Sequence, residues 1–154
     1  MLEALRITDL GVIAAADVTF GPGLTVITGE TGAGKTMLLT GLDLLLGARP
    51  DHDRVRTGAT TAFVEGEWSD LPEPAKLIAE EAGAEVDDVL IVARQVNASG
   101  RSRAIVGGRT VPASVLGEVG AEIVTVHGQA EQIRLRTPAR QRDALDAYAR
   151  NDDA

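Results

Sequence analysis

The sequence predicts an α/β fold, on three observations. A short apolar segment, residues 24–28, runs into a glycine-rich stretch and then into a leucine-rich segment that stops at Gly47, the order of strand, loop and helix. Short β-branched runs alternate with helix-like segments through the rest of the chain. With 154 residues and 44% hydrophobic content, one domain can bury a genuine core.

The elements follow in order. Strands are expected near residues 2–8, 12–20 and 24–28, because Gly11 and the run Gly21-Pro22-Gly23 break the apolar pattern as turns do. "KTMLLTGLDLLLG" carries leucine on most faces, which predicts a buried helix with a glycine cap at Gly47. "TTAFVEGEW" alternates like a half-exposed strand ending near Trp68. "LPEPAKLIAEEAGA" predicts a short acidic helix with proline near its start and Gly83 at its end. "VLIVARQVN" followed by "ASGRSRAIVGGRTV" has the glycine punctuation of a hairpin. "PASVLGEVG" predicts a second short helix, "AEIVTV" a buried strand, and the segment from Thr137-Pro138 onward a helix poor in core-sized residues.

Composition narrows the function. The formal charge of -8 repels polyanions on average, so contact with nucleic acid would need a local basic patch or a metal-bridged phosphate. With no cysteine, disulfides, thiolate metal sites and cysteine nucleophiles are excluded. No stretch approaches the roughly 20 apolar residues of a membrane span or resembles a signal peptide, so a cytoplasmic location is expected. Arginine supplies nearly all the positive charge, and Lys35 and Lys76 are the only lysines. Acidic residues dominate from Glu65 to Asp88. Arg94, Arg101, Arg103 and Arg109 gather around the hairpin, and Arg134, Arg136, Arg140 and Arg142 near the C-terminal segment. Such runs read either as solvated faces or as an arginine-lined surface for DNA phosphates.

"GETGAGKT" fits G-x-x-x-x-G-K-[ST] with Gly29, Gly34, Lys35 and Thr36 in place, between a strand-like and a helix-like segment. In that arrangement the backbone N–H groups of Gly29, Glu30, Thr31, Gly32, Ala33 and Gly34 turn inward around a phosphate, and the helix N-terminus favours negative charge. Lys35 is then expected at the β- and γ-phosphates, with the Thr36 hydroxyl on Mg²⁺. ATP is favoured over GTP because no N-K-x-D sequence for reading guanine is present. Hydrolysis also requires a carboxylate at the metal and a group that orients water. The apolar runs "VLIVAR" and "EIVTVHG" instead end in Arg94 and at His127-Gly128. Gln129, in the loop after the second run, is the candidate to coordinate magnesium or to position water.

Taken together, "LRITDLGVIAAADVTFGPGLTVITGETGAGKT", "LLLGARPDHDRVRTGA", "GRSRAIVGG", "EIVTVHGQAEQ" and "RQRDALDAYA" resemble, in order and over almost the whole chain, the N-terminal half of an ABC-type ATPase head of the SMC-like, DNA-repair class. The resemblance implies a P-loop NTPase lobe with an antiparallel β portion packed beside a core sheet. It implies that Gln129 is the Q-loop glutamine, joining Thr36 at the magnesium. Arg56, in "RVRTGA", then corresponds to an arginine loop near nucleotide or DNA, with Arg101 and Arg103 as further candidate contacts. Implied partners are DNA, with a nucleoid location, a second head dimerised through ATP, and the chain's own C-terminal head half. The class's signature motif, Walker B aspartate, catalytic glutamate and switch histidine are not in this sequence. Residues 1–136 are accordingly expected to form the lobe and 137–154 a helix beginning a coiled-coil arm, as in an N-terminal fragment. Two other readings stay open: a complete small P-loop enzyme, such as a metabolite kinase or a tRNA-modification ATPase, and a lobe that only binds.

Overall fold

The computed structural model describes residues 1–29 and 33–124, which belong to one compact unit, Met1–Val124. Its frame is one six-stranded sheet in the order β2-β1-β3-β4-β5-β6, with every neighbouring pair antiparallel. The strands are β1 (Leu2–Leu10), β2 (Ile13–Thr19), β3 (Thr61–Ser69), β4 (Val89–Asn97), β5 (Ser102–Val106) and β6 (Arg109–Val111). The helices are α1 (Ala33–Leu45), α2 (Glu73–Glu81) and α3 (Ala113–Ile123), with a 3₁₀ turn at His52–Arg54. None of these helices is long and apolar enough to cross a membrane.

Period-2 alternation decides which sheet face is covered. Ala62, Val64 and Trp68 of β3 and Leu90, Val92 and Val96 of β4 are all buried. They share a face with Ile7, on which α1 sits. Gly41 makes that approach close, because a Cβ there would lie 2.7 Å from Ile7 Cδ1 and 3.5 Å from Val64 Cγ1. Helices α2 and α3 pack on each other, and α3 also lies against β5 and α1. A helix as short as α1 is marginal in isolation, so this packing is what holds it. On the opposite face Arg6 Nη1 donates to Glu67 Oε1 at 2.5 Å and to Glu65 Oε1 at 2.9 Å across the β1–β3 register. These bonds, Glu67's first, hold the guanidinium pKa above its ordinary value.

Glycines end the helices as expected. Gly47 (φ +88) follows α1, where Ala48 N–H returns to Asp43 O at 3.0 Å; Gly83 (φ +80) follows α2, where Ala84 N–H returns to Ala79 O at 3.0 Å. The glycine-punctuated hairpin is present as β4, β5 and β6.

Two expectations are corrected. Residues 24–28 do not form a strand: they have no ladder partner, and Leu24 and Val26 are 91% and 69% exposed. β-branched composition favours a strand only where a neighbour accepts its hydrogen bonds, and none of the described strands pairs with this segment. The run "AEIVTV" is not a strand at its start either, since α3 continues through Ala121, Glu122 and Ile123 and only Val124 turns extended (φ -137, ψ 131). Close helix packing overrides β propensity here: a Cβ on Gly120 would meet Leu46 Cδ2 at 3.0 Å, holding that turn against the end of α1. The remainder of the run, the expected boundary at residue 136 and the expected helix over 137–154 lie outside the described residues.

Candidate functional site

Gly29 precedes the undescribed residues Glu30, Thr31 and Gly32, and Ala33 opens α1, so Gly34, Lys35 and Thr36 sit in the helix's first turn. There the backbone N–H groups have no helical acceptor and point outward. Lys35 is half-buried and its Nζ donates to the Gly29 carbonyl, six positions earlier in the chain. A Cβ on Gly29 would lie 3.7 Å from that ammonium, and nothing lies within 4 Å of one on Gly34. A cation at a helix N-terminus, where the N–H groups lack intrahelical acceptors, suits a phosphate. Thr36 is exposed, so its hydroxyl is available to a metal ion. Among the described residues no three His, Cys, Asp or Glu side chains group to hold a metal, so Thr36 is the candidate ligand they supply. Beside Lys35 runs an apolar cleft of about 260 Å³, walled by Leu2, Phe20, Ile27 and Leu38.

The start of α1 is anchored to the sheet by Met37, whose thioether is buried against Gly11 (φ +56) with no room for a side chain on the glycine. That contact puts the start of α1 at the β1–β2 turn. The same turn is bound to the segment carrying Arg56: Gly11 N–H donates to Arg54 O at 2.6 Å, Arg56 N–H to Asp9 O at 2.8 Å, and Arg56 Nη1 to Val12 O at 2.7 Å. Leu10 and Val55 add an isolated bridge. Arg56 is thereby fixed by its own backbone and by one guanidinium nitrogen.

Strand register settles the other arginines. Thr61 pairs with Asn97 and Val96 with Ser102, so the 51–60 segment and the β4–β5 turn lie at one end of the sheet, the end at which α1 starts. His52 Nδ1–H donating to Asn97 O at 2.9 Å and Ala98 N–H donating to Thr60 O at 3.0 Å join them. Arg101 and Arg103 are exposed at this end with Arg56. The hairpin's other two arginines do not join them. Arg109 lies at the far end beside Glu85, 3.8 Å away, and Arg94 is buried at 3% exposure on the helix-covered face. Most of the acidic run is also at the far end, around Ser69–Val89. Gln129, His127 and Gly128 lie outside the described residues.

Arg94 has no carboxylate partner among the described residues. Its Nη2 donates to Ser102 Oγ at 3.2 Å, Nε has no partner, and burial lowers its pKa. A buried cation without a counter-charge opposes folding. Arg94→Met is therefore expected to raise stability by about 1–3 kcal/mol, read as a higher urea midpoint at unchanged slope. A lower midpoint would show that the guanidinium has a counter-charge in the folded chain.

Sequence reasoning missed Met37, Thr40 and Arg54, and read Gly11 only as a turn. The legible signals were the Thr36–Thr40 spacing, which puts both hydroxyls on one helix face, and a glycine between two strands. What those residues touch was not legible.

The AAA domain family matches residues 4–109. The chain is 54% identical to DNA repair protein RecN of Streptomyces coelicolor over 94% of its own length and 26% of the relative's. It therefore spans about a quarter of the length of that relative. Its fold is similar to that of the Smc head domain with an extended coiled coil, bound to the C-terminal domain of ScpA, from Pyrococcus furiosus. The TM-score is 0.70 at 20% identity, covering 95% of this chain and 41% of that one. A structure from work on ATP-driven dimerization and DNA stimulated activation of SMC ATPases is similar too, with a TM-score of 0.64 at 21% identity over 96% of this chain and 98% of that one. The expected α/β fold with an antiparallel sheet is present and is similar to that of Smc head domains, and among the described residues that sheet is the whole β framework, with no separate core sheet beside it. With more than half of its residues matched, and with a glycine-rich loop leading into a helix packed on the sheet, the chain belongs to the AAA domain family.

Proposed function

We propose that this chain is the ATP-binding lobe of a RecN-type DNA-repair ATPase, acting in double-strand-break or recombinational repair. The observation that carries the reading is Lys35 folded over the Gly29 carbonyl at the open N-terminus of α1. ATP with Mg²⁺ is the ligand this arrangement fits: the loop amides and Lys35 hold the phosphates, and Thr36 offers its hydroxyl to the metal. Bound magnesium neutralises charge on the phosphates. The chain's own part is to bind and orient, and to bring Gln129 to the metal as the Q-loop glutamine of related heads.

Hydrolysis is assigned to the head completed by a C-terminal half, with residues 1–136 as this lobe and 137–154 beginning its coiled-coil arm. Exposed Leu24, Val26 and Leu39 near the loop support the docking of such a half. Two completed heads would then dimerise through ATP, as the SMC ATPase comparison suggests by analogy. Arg56, Arg101 and Arg103, gathered at the sheet end where α1 starts, form the candidate DNA surface, and their segregation from the acidic end offsets the overall charge of -8.

Equilibrium binding of labelled ATP with Mg²⁺ tests the reading. Lys35→Ala is expected to weaken binding at least about tenfold, the loss of one charge-assisted phosphate contact. Equal binding by the wild type and the variant would refute the cradle.

A further inference from the structure

The loop that carries Arg56 reaches α1 by two routes, one apolar and indirect through the β1–β2 turn and one polar and direct. Met37 packs against Gly11 of that turn, which itself donates to the Arg54 carbonyl. The polar tie begins one turn into the helix, where Thr40 Oγ1 donates its hydrogen to Thr36 O at 2.9 Å. A threonine hydroxyl has one hydrogen to give and lone pairs to receive. With the hydrogen committed to Thr36, the oxygen accepts from Arg54 Nη1 at 3.4 Å. The same guanidinium donates through Nε to Asp51 Oδ2 at 3.2 Å, so Arg54 spans from α1 to the start of its own loop. Its carbonyl receives the Gly11 amide at 2.6 Å. A continuous chain of donors and acceptors therefore runs from the carbonyl of Thr36, through Thr40 and Arg54, to the backbone on which Arg56 stands.

We propose that Thr40 and Arg54 are positioning residues that make the placement of the Arg56 loop follow the state of the first turn of α1. The inference rests on Lys35 and Thr36 binding phosphate and metal, the reading given above, and goes beyond it in naming the groups that pass occupancy on. A helix's first turn is its least constrained, because its N–H groups lack acceptors, and a bound anion with its metal supplies what is missing. Once that turn is ordered, the Thr36 carbonyl becomes a fixed acceptor and aligns the Thr40 hydroxyl. The hydroxyl then presents a lone pair to Arg54. Both ties from the loop back to the β1–β2 turn, Gly11 N–H to Arg54 O and Arg56 N–H to Asp9 O, are amide hydrogen bonds whose opening can be measured.

The test is amide hydrogen exchange on the full 154-residue chain with and without Mg·ATP, comparing wild type with Thr40→Val, Thr40→Ser and Arg54→Ala. Valine keeps the shape of threonine without the hydroxyl, and serine keeps the hydroxyl. Arg54 is half-exposed, which limits the expected gain in protection of the Gly11 and Arg56 amides on adding Mg·ATP to about two- to fivefold in the wild type. The gain should persist in Thr40→Ser and vanish in Thr40→Val and Arg54→Ala, while ATP affinity stays within about threefold, because neither residue belongs to the proposed phosphate and metal site. A merely structural role would lower protection equally with and without nucleotide. An undiminished gain in Thr40→Val or Arg54→Ala overturns the proposal, as does a wild type that binds Mg·ATP with no gain. The nucleotide-binding reading survives both outcomes. A wild type that binds no better than Lys35→Ala overturns both.

Discussion

Gly47→Ala is expected to destabilise the folded unit by about 2–4 kcal/mol, from two effects that act together. The backbone at Gly47 has φ +88, a conformation that strains an L-residue by roughly 1–2 kcal/mol. A Cβ there would also lie 2.6 Å from Gly117 N and 2.7 Å from Gly117 Cα. That obstacle is the backbone of α3, which cannot rotate aside as a side chain would. Relief requires α1 and α3 to separate, loosening Leu46 from Gly120. Gly58→Ala separates the terms: Gly58 has φ +90 with nothing within 4 Å of its Cβ position, so only strain applies and about 1 kcal/mol is expected. The single tryptophan, buried at Trp68, reports both unfolding transitions by fluorescence. Equal losses for the two variants would show that α1 and α3 do not meet this closely.

Trp68→Ala carries the largest expected loss, about 3–5 kcal/mol. Trp68 is 1% exposed, and its ring lies back over Gly66, two residues earlier on the same face of β3. A Cβ on Gly66 would collide with the ring and meet Leu45 Cδ1 at 3.0 Å, so the glycine is small because the ring occupies that space. The two sites are coupled. Gly66→Ala alone should overpack the site by about 1–3 kcal/mol, yet in the Trp68→Ala background the added methyl enters a cavity and should be nearly neutral. Urea denaturation of the four chains, followed by far-UV circular dichroism because two of them lack tryptophan, gives the interaction energy. Additive losses would mean that the ring does not rest on Gly66.

Much of this was legible along the chain. The caps at Gly47 and Gly83 follow from glycine's access to positive φ, and the alternation in "TTAFVEGEW" was enough to place β3 and its buried face. The motif "GETGAGKT" was legible because its spacing is local: Gly34, Lys35 and Thr36 fall in the first turn of α1, and Lys35 reaches the Gly29 carbonyl. The arginines were legible only as a crowd. Arg94, Arg101, Arg103 and Arg109 are close in sequence, but strand direction and pleat send one into the core, one to Glu85 and two to the end shared with Arg56.

The sequence by itself thus determined the helix that follows the glycine-rich motif, the helix caps and most strand segments, since each depends on residues within a few positions of one another. Tertiary structure alone decided that residues 24–28 go unpaired, that α3 runs on through Ile123, and that Thr40 and Arg54 join α1 to the Arg56 loop. Those outcomes turn on partners that the local sequence does not name: a ladder neighbour, a helix packed on Leu46, a hydroxyl fourteen positions from its guanidinium. Local propensity carries no information about such partners, because the hydrogen bonds and close contacts that select them exist only once the sheet is assembled.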